Sequence, residues 1–217
     1  MERLLYEFPH GRPAYSPLLN ELEIAPHTDL WKNDKSIGAY YGMDMEYAVS
    51  RQFILEAGYS NINNESNRPA FISESGLELA AFYTILDHSK YVITFGMEGH
   101  YNPENEANDP VRFSVEPSVL FAAALDRFQI HLGINAEISS SVKPGFYIAG
   151  IYSAGFMRPF IEILEPNEGN NSLVITPGVV IPIYEDIHCG IGVPLYRNNN
   201  LVVSGLTLFV AVELGEE

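Results

Sequence analysis

Apolar and polar side chains alternate with a period of two over most of this 217-residue chain. In residues 128–139 every second residue from Phe128 to Ile138 is apolar, and the residues between them are small or polar, such as His131 and Glu137. Because successive side chains of a β-strand point to opposite faces, this period predicts strands with two unlike faces. Helix signals are poor, so we predict an all-β protein.

The predicted strands are joined by connections that alternate between short and long. Short connections occur at 50–52 and 126–127, whereas the long ones are rich in Asn, Pro, Gly and Glu. The predicted long loops span 61–69, 102–110, 139–145 and 165–171. This layout is typical of an antiparallel, up-and-down transmembrane β-barrel.

We predict about twelve strands, an even number that places both termini at the short-turn end. Ten strands remain an alternative if the two weakest predictions, 146–153 and 157–165, merge. The predicted strands span 20–30, 36–49, 52–62, 71–86, 90–101, 111–125, 128–138, 146–153, 157–165, 172–184, 186–196 and 201–214.

Either an aqueous or a lipid environment fits a period of two, because a soluble barrel points its apolar face inward and a membrane barrel points it outward. The apolar faces here are nearly free of charge, and only 18% of the residues are charged, against about 25% in average soluble chains. The other faces carry many acids, and unpaired buried charge is costly. We therefore predict a barrel of the bacterial outer membrane, in contact with lipid and lipopolysaccharide; a soluble β-barrel or sandwich that binds a ligand is the alternative.

The predicted inward face defines a set of lumen-lining candidates in which acids outnumber arginines. These residues either solvate a watery lumen, with the arginines bridging neighbouring acids, or form a ring of carboxylates that selects cations. The candidates are Asp44, Glu46, Glu56, Glu74, Glu78, Glu98, His100, Arg112, Glu116, His131, Glu137, Arg158, Glu162, His188 and Glu213.

The termini and the net charge bound the remaining possibilities. Residues 1–19 show no period and contain three prolines, so we predict an N-terminal arm or plug, followed by the barrel at 20–217. The first residues do not resemble a signal peptide, and we expect that one has been removed. A net charge of −16 argues against nucleic-acid binding. A protein partner at the long loops is compatible with the sequence.

One segment resembles a known family. Residues 157–196 contain the stretches 158–162 (RPFIE), 175–179 (ITPGV) and 190–195 (GIGVPL). They are similar to the last strands of the bacterial outer-membrane family labelled "MetA-pathway of phenol degradation". This resemblance covers about a fifth of the chain. It implies a transporter-like barrel and, as solutes, small apolar or aromatic compounds.

No sequence motif indicates an enzyme. The chain lacks the G-x-S-x-G, H-E-x-x-H and D-x-D-x-D-G patterns and has a single cysteine, Cys189. We therefore predict no catalytic residues, no metal site and no cofactor, although His, Asp and Glu from neighbouring strands can meet in space. The predicted function is a channel or transporter for small solutes, either cationic or small and apolar; a structural or interaction barrel with a blocked lumen is the alternative.

Overall fold

The computed structural model describes residues 19–32, 37–63, 75–88, 90–102, 113–165, 173–184, 186–198 and 201–215. Within these ranges the chain forms thirteen β-strands: β1 (Leu22–Lys32), β2 (Ile37–Ser50), β3 (Phe53–Asn63), β4 (Gly76–His88), β5 (Tyr91–Tyr101), β6 (Phe113–Leu125), β7 (Phe128–Ile138), β8 (Val142–Tyr152), β9 (Arg158–Glu165), β10 (Val174–Tyr184), β11 (Ile187–Gly192), β12 (Leu195–Asn198) and β13 (Leu201–Leu214). No helix in the described ranges is long and apolar enough to cross a membrane.

The strands close into one antiparallel barrel. Strands that follow each other in sequence pair in order, and β13 pairs with β1 from Leu22↔Leu214 to Trp31↔Gly205. Both β11 and β12 pair with β10 and β13, so they are two halves of one strand, interrupted at Val193 and Pro194. The barrel therefore has twelve strand positions, which confirms the predicted count.

The short turns lie at the end of the barrel where β1 begins and β13 ends. Leu22, at the start of β1, pairs with both Leu214 and Tyr47, close to the turn that joins β2 and β3. Two other turns at this end contain a residue with a positive φ angle, Asp126 at 58° and Gly155 at 71°. The first strand therefore begins, and the last strand ends, at the short-turn end, as an even number of strands predicts.

One predicted loop is wrong. Residues 139–145 were expected to form a long loop, but β8 begins at Val142, and Pro144 and Gly145 pair with Ala136 and Asn135 of β7. Proline and glycine are turn signals in a sequence, yet a strand tolerates proline near its first residue, where few ladder hydrogen bonds are lost. The connection between β7 and β8 is therefore a tight turn.

The outer face of the barrel is apolar. Along β7, Phe128, Leu132 and Ile134 are 39%, 38% and 64% exposed, whereas Gln129 and His131 are 4% and 0% exposed. Charged residues on the outer face of the described strands occur at strand ends, as at Lys32 and Glu165. An apolar exterior around a closed sheet is the orientation of a membrane barrel and the reverse of a soluble one.

The inner face contains an apolar cluster that the prediction of a polar lumen missed. Its members come from both sides of the barrel and lie mainly in the half nearer the short turns. They are Ile54, Ala80, Phe82, Val92, Leu120, Ala122, Tyr147, Ala149, Ile151, Phe160, Val180 and Phe209, each at most 6% exposed. Segments such as 79–86 are apolar on both faces, so their period is weak and the inward members were not recognised.

Candidate functional site

The inner face of β13 and β1–β6, which we call the acidic wall, carries glutamates in register on neighbouring strands. Glu23 of β1 lies directly opposite Glu213 of β13 on one side and Glu46 of β2 on the other. Glu46 in turn lies opposite Glu56 of β3. The antiparallel register therefore brings four carboxylates side by side.

The same line continues across three more strands. Ala80 of β4 lies opposite both Glu56 and Glu98, and Glu98 of β5 lies opposite Glu116 of β6. Seven neighbouring strands thus contribute six glutamates and one alanine, and we call these glutamates the glutamate row. Like charges directly opposite each other on a sheet are destabilising, so the row is not explained by the needs of folding.

Histidines and further carboxylates lie one or two inner-face positions from the row toward the long loops. His27 Nδ1 is 3.3 Å from Asp44 Oδ2, and the His27 ring stacks on Tyr40 with centroids 5.3 Å apart. His100 Nδ1 is 3.4 Å from Glu78 Oε2, and His100 Nε2 is 3.8 Å from Glu98 Oε2. Histidine is thus the only basic residue type on the acidic wall in the described residues.

Gly58 brings two of these carboxylates together. A Cβ built on Gly58 would overlap Asp44 Oδ1 and would lie 3.4 Å from Glu78 Cβ. Because position 58 has no side chain, Asp44 extends over the backbone of β3 toward Glu78 on β4. The sequence placed Gly58 on the inner face but gave no sign of this contact.

The inner face of β7–β11, which we call the balanced wall, differs in charge. Two acids, Glu137 and Glu162, and two bases, Lys143 and Arg158, lie on the inner face of its described strands. Lys143 Nζ is 3.6 Å from Glu137 Oε2. Most of the remaining inward residues are glycine or apolar, so this wall has no net charge when its histidines are neutral.

Two contacts join the walls at their edges. Asn135 Nδ2 of β7 donates a hydrogen bond of 2.5 Å to Glu116 Oε1 of β6. On the other edge, His188 Nδ1 of β11 lies 4.0 Å from Glu213 Oε1 of β13. The ends of the glutamate row therefore contact polar groups of the balanced wall.

Solvent access to the inner face differs between neighbouring polar side chains. The side chains of His100 and Asp44 are 35% and 27% exposed, whereas that of Glu98 is 7% exposed. His131 and Glu162 of the balanced wall are fully buried. Around His100 and Asp44 the interior is thus open to solvent, whereas Trp31, Ile62 and Val174 form a second buried cluster in the same half of the barrel.

Thirteen of the fifteen lumen-lining candidates lie within the described strands, and Glu74 and Arg112 lie outside the described residues. The thirteen share the inner-face position on their strands, and their lining of a solute path stays a prediction. They are Asp44, Glu46, Glu56, Glu78, Glu98, His100, Glu116, His131, Glu137, Arg158, Glu162, His188 and Glu213.

The sequence interpretation missed the inward residues of β1. Glu23 and Asp29 are 7% and 3% exposed, and Asp29 accepts a hydrogen bond from the Thr207 hydroxyl. The period-two signal was present, because Glu23, His27 and Asp29 alternate with apolar residues and Thr28. Pro26 interrupts this pattern, which concealed it.

One group within the described residues has the donor set of a metal site. Single ligand atoms of Glu78, Glu98 and His100 all lie within 4.8 Å of one another. The three residues come from two adjacent strands, since Glu78 pairs with His100 and Glu98 precedes His100 by two residues. No sequence spacing could reveal this group, because it depends on the register of β4 and β5.

The known proteins that resemble this chain are recognised by structure. No family model matches the chain, and no curated protein matches it in sequence. The structure is similar to the KdgM porin, with a TM-score of 0.70 and 11% identity over 89% of this chain and 99% of that one. The chain has the fold of outer-membrane β-barrels.

Two further solved structures have the same fold. The COG4313 outer membrane channel from Pseudomonas putida F1 gives a TM-score of 0.65 at 10% identity, over 96% of this chain and 100% of that one. The NanC porin gives 0.63 at 8% identity, over 88% and 100%. Similarity at such low identity shows the fold alone, and membership of the MetA-pathway family is not confirmed.

Proposed function

We propose that this chain is a channel of the bacterial outer membrane that passes small cationic solutes along its acidic wall. The observation that carries the proposal is the glutamate row, six carboxylates on seven adjacent strands of a closed barrel. Rings of acidic side chains select cations in channels because they stabilise a partly dehydrated positive ion. Neither lysine nor arginine lies on the described inner face of these strands to oppose them.

The apolar exterior supports the proposed location. Exposed Leu79, Ile134 and Phe113, at 69%, 64% and 60%, would carry a large cost in water and none in a lipid bilayer. The partners that follow from this exterior are the hydrocarbon core and, on the side of the long loops, lipopolysaccharide.

The charge of the acidic wall distinguishes this chain from one structural neighbour. A structure of the KdgM porin contains oligogalacturonate, which is a polyanion. Carboxylates in register would repel such a ligand, since two like charges 4 Å apart repel by about 1 kcal/mol even at the dielectric constant of water. The proposed solutes therefore differ in charge from that ligand.

Ion selectivity in a planar bilayer tests the proposal. The purified chain is inserted under a KCl gradient, and the potential at zero current is measured. We expect the sign of a cation-selective pore, because K⁺ concentrates at the acidic wall and Cl⁻ is repelled. An anion-selective or unselective pore would contradict the proposal.

A second candidate function is a closed structural barrel, and the apolar cluster favours it. Phe82, Phe160 and Phe209 are each 5% exposed and belong to one buried cluster inside the barrel. Barrels of about eight strands are filled by side chains and much larger ones leave an aqueous channel, so twelve strands fit either state. Repeated insertions without current would favour this candidate.

Two finer proposals concern the solute and the N-terminal arm. The family resemblance implies small apolar or aromatic solutes, and liposome swelling in a neutral aromatic compound would distinguish these from cations.

We also propose that residues 1–19 act as an arm or plug, of which residues 1–18 lie outside the described ranges. Deletion of 1–19 should raise the conductance, and an unchanged conductance would contradict the plug.

A further inference from the structure

Glu78, Glu98 and His100 form a compact set of donors on the acidic wall. Glu78 on β4 faces His100 on β5, and Glu98 lies on the same face of β5 as His100. His100 Nδ1 is 3.4 Å from Glu78 Oε2, and ligand atoms of all three residues lie within 4.8 Å of one another. We infer that these three side chains bind a divalent transition-metal ion.

The donor set decides the class of metal. An imidazole with two carboxylates suits Zn²⁺, Co²⁺ or Ni²⁺, whereas Ca²⁺ and Mg²⁺ prefer oxygen donors alone. Donors bound to Zn²⁺ at about 2.0–2.1 Å in a tetrahedron lie roughly 3.4 Å apart. His100 Nδ1 and Glu78 Oε2 already have this separation. Glu98 Oε2 lies 3.8 Å from the other ring nitrogen, Nε2, so Glu98 would rotate toward Nδ1 to supply the third ligand.

The surroundings increase the attraction for a cation. Asp44 extends over Gly58 toward Glu78, and Glu116 lies directly opposite Glu98. Two further carboxylates thus lie next to the three donors and would attract the ion without binding it directly.

A buried hydroxyl lies near Glu98, the deepest of the three donors. Ser118 is 5% exposed, and its Oγ has no hydrogen-bond partner. This oxygen leans over Gly96 of β5, one inner-face position away from Glu98. Buried hydroxyls without partners are rare and commonly mark a site for water or an ion. Ser118 lies on the side of Glu98 away from His100, so a water bound to this hydroxyl would be next to Glu98.

The site is accessible from the end of the barrel with the long loops. The His100 side chain is 35% exposed and that of Glu78 is 21% exposed, whereas Glu98 lies deeper. An ion that enters from this end would therefore meet His100 and Glu78 before it reaches Glu98. Metal binding requires only the folded barrel and does not depend on whether the barrel conducts.

Titration of the full chain with Co²⁺ and Zn²⁺ in detergent tests the inference. Calorimetry gives the affinity and stoichiometry, and the visible spectrum of Co²⁺ reports its coordination. The variants are His100→Asn, Glu78→Gln and Glu98→Gln. Because each removes a different ligand, the other two still test the inference if one variant does not fold. Two matched controls are Glu46→Gln, which removes one charge from the same wall, and His188→Asn, which removes an inner-face histidine beside a single glutamate.

We expect one ion per barrel in the unaltered chain. Each site variant should weaken binding by roughly a hundredfold, because loss of even a hydrogen-bond partner of a ligand costs about ten- to a hundredfold. Each control should weaken it by less than about threefold, since an exposed charge at a distance is screened. Absence of binding, or equal losses in Glu46→Gln and His100→Asn, would overturn the inference. Selectivity measured with a chelator present tests the proposed channel separately.

Discussion

The acidic wall and the balanced wall belong to one barrel and have the same antiparallel ladders, yet their inward charges differ. The inner face of the acidic wall carries a row of acids and neither lysine nor arginine in the described residues; these acids include Glu23, Asp29, Asp44, Glu46, Glu56, Glu78, Glu98, Glu116 and Glu213. The balanced wall carries two acids and two bases. Because the balanced wall pairs equally well without an excess of acids, closure of the barrel does not require the glutamate row.

A second contrast runs along the barrel axis. The half nearer the short turns is packed with apolar side chains, whereas the half nearer the long loops combines carboxylates and histidines that solvent can reach with a smaller buried cluster of Trp31, Ile62 and Val174. Burial of apolar surface stabilises the first half, and like charges destabilise the second. Stability and proposed function thus occupy different parts of the same interior.

The largest change in the free energy of unfolding is expected from a substitution in the apolar cluster. Phe82→Ala should lower the free energy of unfolding by about 3–5 kcal/mol, as buried phenylalanines do when truncated. Phe95→Ala is the matched control, because Phe95 is 41% exposed on the outer face. It should cost about 1–2 kcal/mol. Urea unfolding in detergent measures both values; equal losses would show that Phe82 is not part of a packed core.

The same pair also distinguishes an open barrel from a closed one. If the apolar cluster narrows the lumen, Phe82→Ala should raise the single-channel conductance and Phe95→Ala should leave it unchanged. A conductance that does not respond to Phe82→Ala would place the narrowest point elsewhere.

Substitution of two inner-face glycines compares the packing of the two halves of the barrel. A Cβ on Gly190 would overlap the ring of Phe209, whereas a Cβ on Gly58 would overlap a flexible carboxylate oxygen of Asp44. Gly190→Ala should therefore cost about 1–3 kcal/mol, the range for overpacking. Gly58→Ala should cost less, because Asp44 can rotate away. Unfolding titrations that rank the two variants in the opposite order would contradict this account of the packing.

The smallest change in the free energy of unfolding is expected when a single charge is removed from either wall. Glu46→Gln should raise the free energy of unfolding by about 0.2–1 kcal/mol, because Glu46 lies between Glu23 and Glu56. Lys143→Met, on the balanced wall, should lower it by at most about 1 kcal/mol by removing the partly exposed pair with Glu137. A destabilised Glu46→Gln variant would mean that the row contributes to folding.

The sequence predicted the fold class and the number of strand positions, because a period of two over long strands is a strong local signal. It also placed candidates such as Glu46 and Glu98 on the inner face. The alignment of six glutamates in one row could not be predicted from the sequence, because this alignment depends on the register between strands. The apolar cluster around Phe82 was missed because its strand is apolar on both faces, and His27 was missed because Pro26 breaks the pattern.

The central claim is that the glutamate row makes the interior cation-selective. The most direct test compares the potential at zero current of the unaltered chain with that of the variant Glu46→Gln, Glu56→Gln, Glu98→Gln in the same KCl gradient. A unit charge about 5–6 Å from an ion contributes about 0.7 kcal/mol even in water, so three should change the cation-to-anion permeability ratio by about tenfold after screening. The account predicts that the variant's permeability ratio falls by about this factor, so that its zero-current potential moves toward zero. A variant that keeps the selectivity of the unaltered chain would contradict the account.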